Sequence, residues 1–340
     1  MSAEPPLPHA ALQQGLQTHY GLTVDRFEFL PHGTAPAYRA QGQSGTFFVK
    51  VLPGTPFWAE ARQRVRAELP LLQALQAAVL QVQVPVPTLT GAAVGHTGGF
   101  TLAVHRWIEG VPLGQDWAAA QSELAALLGR LHALTPVLQA SVSGWPVPPE
   151  DFGLPFADTL AADLQRVWMA RPHDRPVVVA LRALLHPHRA ELRRLLAQAR
   201  RFQQAARAAT WPFVACHTDA HGGNVMRDEV GALWLIDWET ARLAPAEHDL
   251  WMLEDMLPEV LPVYQAAAGH AFVPSPVLTG FYLCRRTLED LAVDLQQLLH
   301  DPLSPEQDAA VLDVLTRFIV PALRQRRDVL ERLEGQAGLA

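Results

Sequence analysis

The chain has 340 residues, of which 49% are hydrophobic and 18% charged, and its formal charge is -7. That length exceeds what one hydrophobic core usually serves, so two lobes are expected, and the apolar content excludes a disordered or fibrous chain. The acidic balance carries no basic block, which argues against a nucleic-acid partner and favours a neutral or cationic small molecule.

Only two cysteines, Cys216 and Cys284, occur, too few for a disulfide framework and without metal-binding spacing. The stretch from Met1 to His9 is proline-rich and lacks the basic and apolar regions of a signal peptide. No apolar run reaches the ~18 residues a membrane helix requires. A cytoplasmic protein without a membrane partner is expected.

Residues 22–52 read as strands in a hairpin or meander, with Phe27, Phe29 and Leu30 before the turn-prone Pro31-His32-Gly33, and an aromatic, β-branched run from Thr46 to Leu52. Thr55-Pro56 is a helix start, and helical periodicity continues to about Val79. Pro70 removes an intrahelical bond and clashes with the Arg66 carbonyl, predicting a kink or two helices. Val82–Val86 and Phe100–Ile108 read as strands, with Glu109-Gly110 as a hinge. From Trp117 the pattern turns helical, as in the amphipathic Glu123–Leu134. A Pro/Gly-rich connection spans Ser141–Pro155, and helices resume to Phe202. One short strand pair between Phe213 and Ile236 interrupts them, and helices dominate from His248 onward. The fold class is α+β: a small β-rich lobe over residues 1–108, then a larger helical lobe over 109–340.

The chemistry concentrates in Cys216-His217-Thr218-Asp219-Ala220-His221-Gly222-Gly223-Asn224-Val225 and Leu235-Ile236-Asp237-Trp238-Glu239. Asp228-Glu229-Val230-Gly231 reads as a four-residue turn, which pairs Val225–Arg227 with the strand leading to Asp237. In that register Asn224 faces Leu235, and Asp237 lies on the same face at a diagonal of about 7–8 Å. An amide oxygen and a carboxylate so placed suit Mg²⁺, a hard cation that takes few protein oxygens. Asp219 adds a second carboxylate. Phosphoryl transfer needs this set: ligands for a metal that neutralises phosphate charge, and a carboxylate that orients the acceptor hydroxyl.

These residues resemble the aminoglycoside phosphotransferase and choline kinase family, of protein-kinase-like bilobal fold, whose pattern is H-x-D-x-x-x-x-N followed by a strand ending in Asp. The resemblance implies a kinase transferring phosphate from ATP or GTP to a small-molecule hydroxyl. Asp219 is then the catalytic base, His217 the residue holding its loop, and Asn224 and Asp237 the Mg²⁺ ligands. Lys50, on the strand Thr46–Val51, corresponds to the phosphate-binding lysine. Glu68 is its expected partner from the following helix, with Glu60 as the alternative. The hinge residues Arg106 and Ile108 would present backbone groups to the base. The phosphate loop departs from the pattern, since His32-Gly33-Thr34-Ala35-Pro36-Ala37-Tyr38 holds one glycine and a proline.

Ile236-Asp237-Trp238-Glu239, Leu243-Ala244-Pro245, His248-Asp249-Leu250 and Tyr282-Leu283-Cys284-Arg285-Arg286 look like the spectinomycin phosphotransferase branch of that family, in which Asp249 is expected to pin the active-site segment. Antibiotic resistance is one role this branch implies. Among acidic residues of the second half, Glu239 and Glu289 are candidates to face a cationic substrate, and Asp290 and Asp294 share a helix face. Two other readings compete. A metal-dependent hydrolase would use His217, Asp219, His221, Asp237 and His248, leaving Asn224 and Lys50 unexplained. A degenerate kinase fold would bind a ligand without turnover.

Overall fold

The computed structural model describes residues 4–31, 35–78, 80–301 and 303–339. His32, Gly33 and Thr34 of the sequence-predicted phosphate loop lie outside the described residues.

In chain order the first part comprises α1 (His9–Tyr20), β1 (Arg26–Leu30), β2 (Ala37–Gly42), β3 (Gly45–Pro53), α2 (Ala59–Ala77), β4 (Gly95–Thr97), β5 (Phe100–Arg106), β6 (Gly110–Pro112), α3 (Gln121–Ala133) and α4 (Thr135–Ser141). Three helices follow: α5 (Ala157–Trp168), α6 (Pro176–Leu185) and α7 (Arg189–Arg207). Then come β7 (Val214–Cys216), β8 (Val225–Asp228), β9 (Leu233–Leu235), β10 (Arg242–Ala244), α8 (Glu247–Leu250) and α9 (Leu257–Ala268). The chain ends in α10 (Pro276–His300), α11 (Pro305–Val314) and α12 (Val320–Ala337). The class is α+β, and the chain divides into two compact units. One comprises residues 1–149, 213–249 and 255–271, the other residues 150–212, 250–254 and 272–340.

The first unit is organised by an antiparallel sheet in the order β1-β2-β3-β5-β4. Successive strand residues alternate between faces, so pairing Tyr38 with Val49, Ala40 with Phe47, and Val49 with Val104 gathers these side chains on one face. There they pack with Leu12, Leu16 and Tyr20 of α1 in a buried cluster. Fully burying one leucine is worth roughly 1.5–3 kcal/mol. The Tyr20 hydroxyl donates to the Leu102 carbonyl at 2.6 Å and accepts from the Gly95 amide at 2.8 Å, tying α1 to β4 and β5. Helix α1 is not among the elements expected from the sequence. Its signal was present in Leu12, Leu16 and Tyr20 at four-residue spacing, closed by Gly21 at φ 68°.

The opposite face carries Ala37, Phe48, Lys50, Ala103 and His105 by the same registers. Helix α2 runs unbroken through Pro70, so the predicted division into two helices does not occur. Leu69, Leu71 and Leu72 flank the proline and are buried, and this packing outweighs one missing backbone bond. Val82–Val86 forms only isolated bridges, Val82 to Leu235 and Pro85 to His105, because alternate prolines remove ladder donors. The strand expected to reach Ile108 ends at Arg106, and the hinge enters β6, which pairs with β8.

The second unit is helical. Its longest element, α10, starts at an N-cap where Ser275 accepts from the Leu278 amide at 3.4 Å. Arg285 of α10 donates to both oxygens of the buried Glu150 at 3.2 and 3.0 Å. Arg201 of α7 holds Glu334 of α12, whose other oxygen accepts from Gln198 at 2.8 Å. No described helix is long and apolar enough to cross a membrane.

Candidate active site

Residues of the first unit line one cavity of about 530 Å³, within the range of small-molecule sites. The sheet contributes Ala37, Phe48, Lys50 and His105, all on the face away from α1. Helix α2 adds Glu68 and Leu72, and the hinge adds Trp107 and Ile108. The loop and hairpin after β7 add His221, Gly223, Asn224, Met226, Ile236, Asp237 and Trp238.

The loop side is positioned by buried polar groups. Asp249, fully buried, accepts from the His217 amide at 3.0 Å and from the Thr218 amide at 2.6 Å. Thr218 has φ 75°, costly for a β-branched residue, and these bonds hold it there. His132 of α3 meets Asp249 through Nε2 at 3.0 Å and the Tyr264 hydroxyl of α9 through Nδ1 at 2.8 Å. Burial pushes the Tyr264 phenol up, and because the Asp249 carboxylate only accepts, the Nε2 that meets it carries the proton. His217 is committed too: its Nε2 donates to the Ile236 carbonyl at 2.9 Å, while Nδ1 accepts from the Asp219 amide at 3.3 Å. The Trp238 ring packs edge-on against it, centroids 4.6 Å apart.

Asp219 follows at the loop's turn. Asn224 Nδ2 donates to the Asp219 carbonyl at 2.9 Å and to its carboxylate Oδ2 at 3.1 Å. The amide nitrogen is thereby committed, which leaves Oδ1 as the atom suited to a cation. Gly222 lets the loop pass against Gly114, since a Cβ there would lie 2.0 Å from the Gly114 carbonyl oxygen.

The hairpin register corrects the sequence-based one. Val225, not Asn224, stands opposite Leu235, and the Asn224 carbonyl accepts from the Ile236 amide at 3.0 Å. The reason is the loop: Asp228 is still a strand residue, pairing with Gly110, and its carboxylate accepts from the Val230 and Ala232 amides around Gly231 at φ 88°. The turn is thus one residue shorter on the β8 side, with the positive-φ glycine of a bulged hairpin. Strand alternation would now separate Asn224 from Asp237. Both line the cavity because the chain leaves the strand at Asp237, whose φ is 67°.

Lys50 closes the arrangement from the sheet. Its Nζ lies 2.6 Å from Asp237 Oδ1 and 3.3 Å from Glu239 Oε2. Burial by itself disfavours the ammonium, but Asp237, Glu239 and Glu68 hold it well above the usual lysine range. Burial likewise opposes the Asp237 carboxylate, yet the adjacent Lys50 keeps it below the ordinary range. Glu239 is pushed up by burial, against the pull of Lys50 and with help from Asp237 and Glu68. Asp219, Asn224 and Asp237 offer only oxygens suited to coordination, a hard donor set that fits Mg²⁺ and not a thiophilic metal.

Glu68 is buried near Lys50, but its hydrogen bond goes to His105 Nε2 at 3.2 Å. Glu60 is exposed and paired with Arg64 one turn on, so it drops out as the lysine's partner. Of the hinge pair, Ile108 lines the cavity. The Arg106 carbonyl already accepts from Gln83 at 2.9 Å, and its side chain is exposed. Glu239 turns to Lys50. Glu289 lies on α10 in the other unit, 4.0 Å from Arg285. His105 was not anticipated, although its odd-numbered alternation with Ala103 opposite Lys50 marked the face it shares. His132 and Tyr264 carry no motif that would have identified them.

The family model described as the phosphotransferase enzyme family matches residues 26–277. No match was found among curated protein sequences. Among solved structures, a spectinomycin phosphotransferase in complex with ADP and spectinomycin is similar at 19% identity and TM-score 0.74, covering 99% of this chain and 100% of that one. An aminoglycoside phosphotransferase from Alicyclobacillus acidocaldarius aligns at 18% identity and TM-score 0.57, with 100% and 98% coverage. The choline kinase LicA from Streptococcus pneumoniae aligns at 14% identity and TM-score 0.57, with 93% and 99% coverage. At such identities the likeness establishes a shared, kinase-like fold.

Proposed function

Because the chain belongs to the phosphotransferase enzyme family, we propose that it transfers the γ-phosphate of ATP or GTP to a hydroxyl of a small molecule in the cytoplasm. One observation carries this reading: Lys50, Asp237, Asn224 and Asp219 converge although Lys50 and Asp237 are 187 positions apart in sequence. The cavity lining also divides chemically. Phe48, Leu72, Trp107, Ile108, Met226 and Ile236 offer apolar surface for a flat base, and Lys50, Asn224 and Asp237 offer charge and oxygens for phosphates and metal.

In this reading residues 1–108 hold the nucleotide and residues 109–340 the catalytic and acceptor groups, with base contacts from the backbone near Arg106 and Ile108. Asn224 and Asp237 hold Mg²⁺, which when bound neutralises charge on the phosphates. Lys50 is held charged by its carboxylate neighbours and holds the phosphates. Asp219 orients the acceptor hydroxyl and takes its proton, and His217 fixes the loop through its two main-chain bonds. The acidic chain favours an amine-bearing acceptor, and the solved relatives include structures bound to spectinomycin, kanamycin, ADP, AMP and GDP.

The test is a nucleotide-consumption screen of aminocyclitols, aminoglycosides, choline-like amines and sugars, with Asp219→Ala as control. We expect Mg²⁺-dependent thermal stabilisation by ATP or GTP, and at least a roughly 100-fold loss of transfer in Asp219→Ala with nucleotide affinity within a few fold of wild type. Equal turnover by the variant would remove Asp219 from this role. A blank screen with nucleotide still bound would favour a binding protein of the same fold.

A further inference from the structure

Away from the cavity, a second concave surface of about 420 Å³ lies between α2 and the β4–β5 hairpin. Arg62 and Arg66, one helical turn apart on α2, line it together with His96 and Thr97 of β4, Thr101 of β5 and the backbone of Gly98-Gly99. No carboxylate is among its lining residues. In a chain of net charge -7 that is an unusual local balance. Like charges one turn apart oppose helix stability, and the nearest acid on the helix start, Glu60, is taken by Arg64.

The basic groups are held in place. Arg62 donates to the Pro53 carbonyl and, at 2.8 Å, to the Thr55 carbonyl. His96 contacts Thr101 Oγ1 through Nδ1 at 3.3 Å, and its Nε2 lies 3.5 Å from Arg66 Nη2. Its carbonyl accepts from His19 of α1 at 2.7 Å. Burial, and then the positive charge of Arg66, His19 and Arg62, depress His96 protonation. Gly98 and Gly99, at φ 52° and 81°, form the tight two-residue turn that exposes backbone beside these side chains.

We propose that this cleft binds a tetrahedral oxyanion, either free phosphate or the phosphate group of a small metabolite, and that the bound anion braces α2 against the β4–β5 hairpin. Two guanidinium groups, with threonine hydroxyls and the Gly98-Gly99 backbone at the margin, match such a ligand in charge and hydrogen-bonding capacity, and His96 meets Arg66 from beside it. The brace reaches the cavity directly. Glu68 lies two residues beyond Arg66 on α2, and its bond to His105 joins α2 to the same strand, β5, that borders the cleft. An anion there would bear on the same helix and strand that the Glu68–His105 contact joins.

The test is calorimetric titration of the full chain with inorganic phosphate and, separately, glycerol phosphate, at ionic strength held constant with potassium chloride. Saturable binding is expected in wild type and in Lys50→Met, with at least a tenfold weaker Kd in Arg66→Glu. His96→Ala provides a second variant should Arg66→Glu fail to fold, as judged by its melting curve. Tighter binding of one probe assigns the source of the phosphate. The proposal is overturned if neither probe binds beyond the chloride background, if Arg66→Glu and His96→Ala bind as wild type does, or if Lys50→Met abolishes binding and so places the anion in the cavity.

Discussion

Lys50 and His105 stand on a regular sheet whose register settles which way each side chain points, whereas Asp219, Asn224 and Asp237 stand on segments with almost no repeating structure. On the sheet side, direction follows from alternation and is backed by the apolar cluster under α1. On the loop side it follows from a buried carboxylate, two spent imidazoles and two residues at positive φ, Thr218 and Asp237. Placing a reactive group on a sheet needs few specific contacts. Placing one on a turn needs a polar network in which every donor and acceptor is answered.

The largest effect tests the loop side. Asp249→Ala would leave the His217 and Thr218 amides and His132 without their shared acceptor, and should destabilise the chain by about 3–5 kcal/mol in urea unfolding, with transfer activity lost. A cost below about 0.5 kcal/mol, typical of surface positions, would mean that the loop is held by something else and would erase the contrast.

A middle-sized effect tests the sheet side. His105→Leu keeps strand pairing but strands the buried Glu68, at a cost of roughly 1–3 kcal/mol. Adding Glu68→Gln should recover part of that loss. If the double variant is no more stable than the single one, the His105–Glu68 contact at 3.2 Å is not what makes the site costly to disturb.

The smallest effect is a control from the other unit. Burial, and then the nearby Asp290, push the Asp294 carboxyl up to about 7. A folded-state pKa above the unfolded one means the neutral acid favours the fold below about pH 4, and this contribution fades as pH rises through about 7. Asp294→Asn should therefore gain stability at pH 8 relative to pH 5, by about 1 kcal/mol once solvent screening of a partly exposed group is allowed for. Nucleotide affinity should not change. A melting difference independent of pH would contradict the assigned titration.

What could be read from the sequence divides along the same line. The strand bearing Lys50 was visible because an aromatic, β-branched run is a strong local signal, and the spacing from His217 to Asn224 was visible as a motif. The hairpin register was misjudged by one residue, since whether Asp228 belongs to strand or turn depends on pairing with Gly110, more than a hundred positions away. Proline at position 70 suggested a break that tertiary burial overrides. His132 and Tyr264 were illegible because their role exists only through Asp249. Glu68 could be named but not its partner, which required knowing that β5 presents His105 beside Lys50.

The bonds from Asp249 to two successive loop amides have a consequence in time as well as in space. A segment outside helix or strand would ordinarily sample many conformations, and a ligand would have to arrest it at the cost of about 1–2 kcal/mol for each residue fixed. Here that disorder is removed once, when the protein folds. The two amides just before Asp219 are therefore fixed by the fold itself, through Asp249.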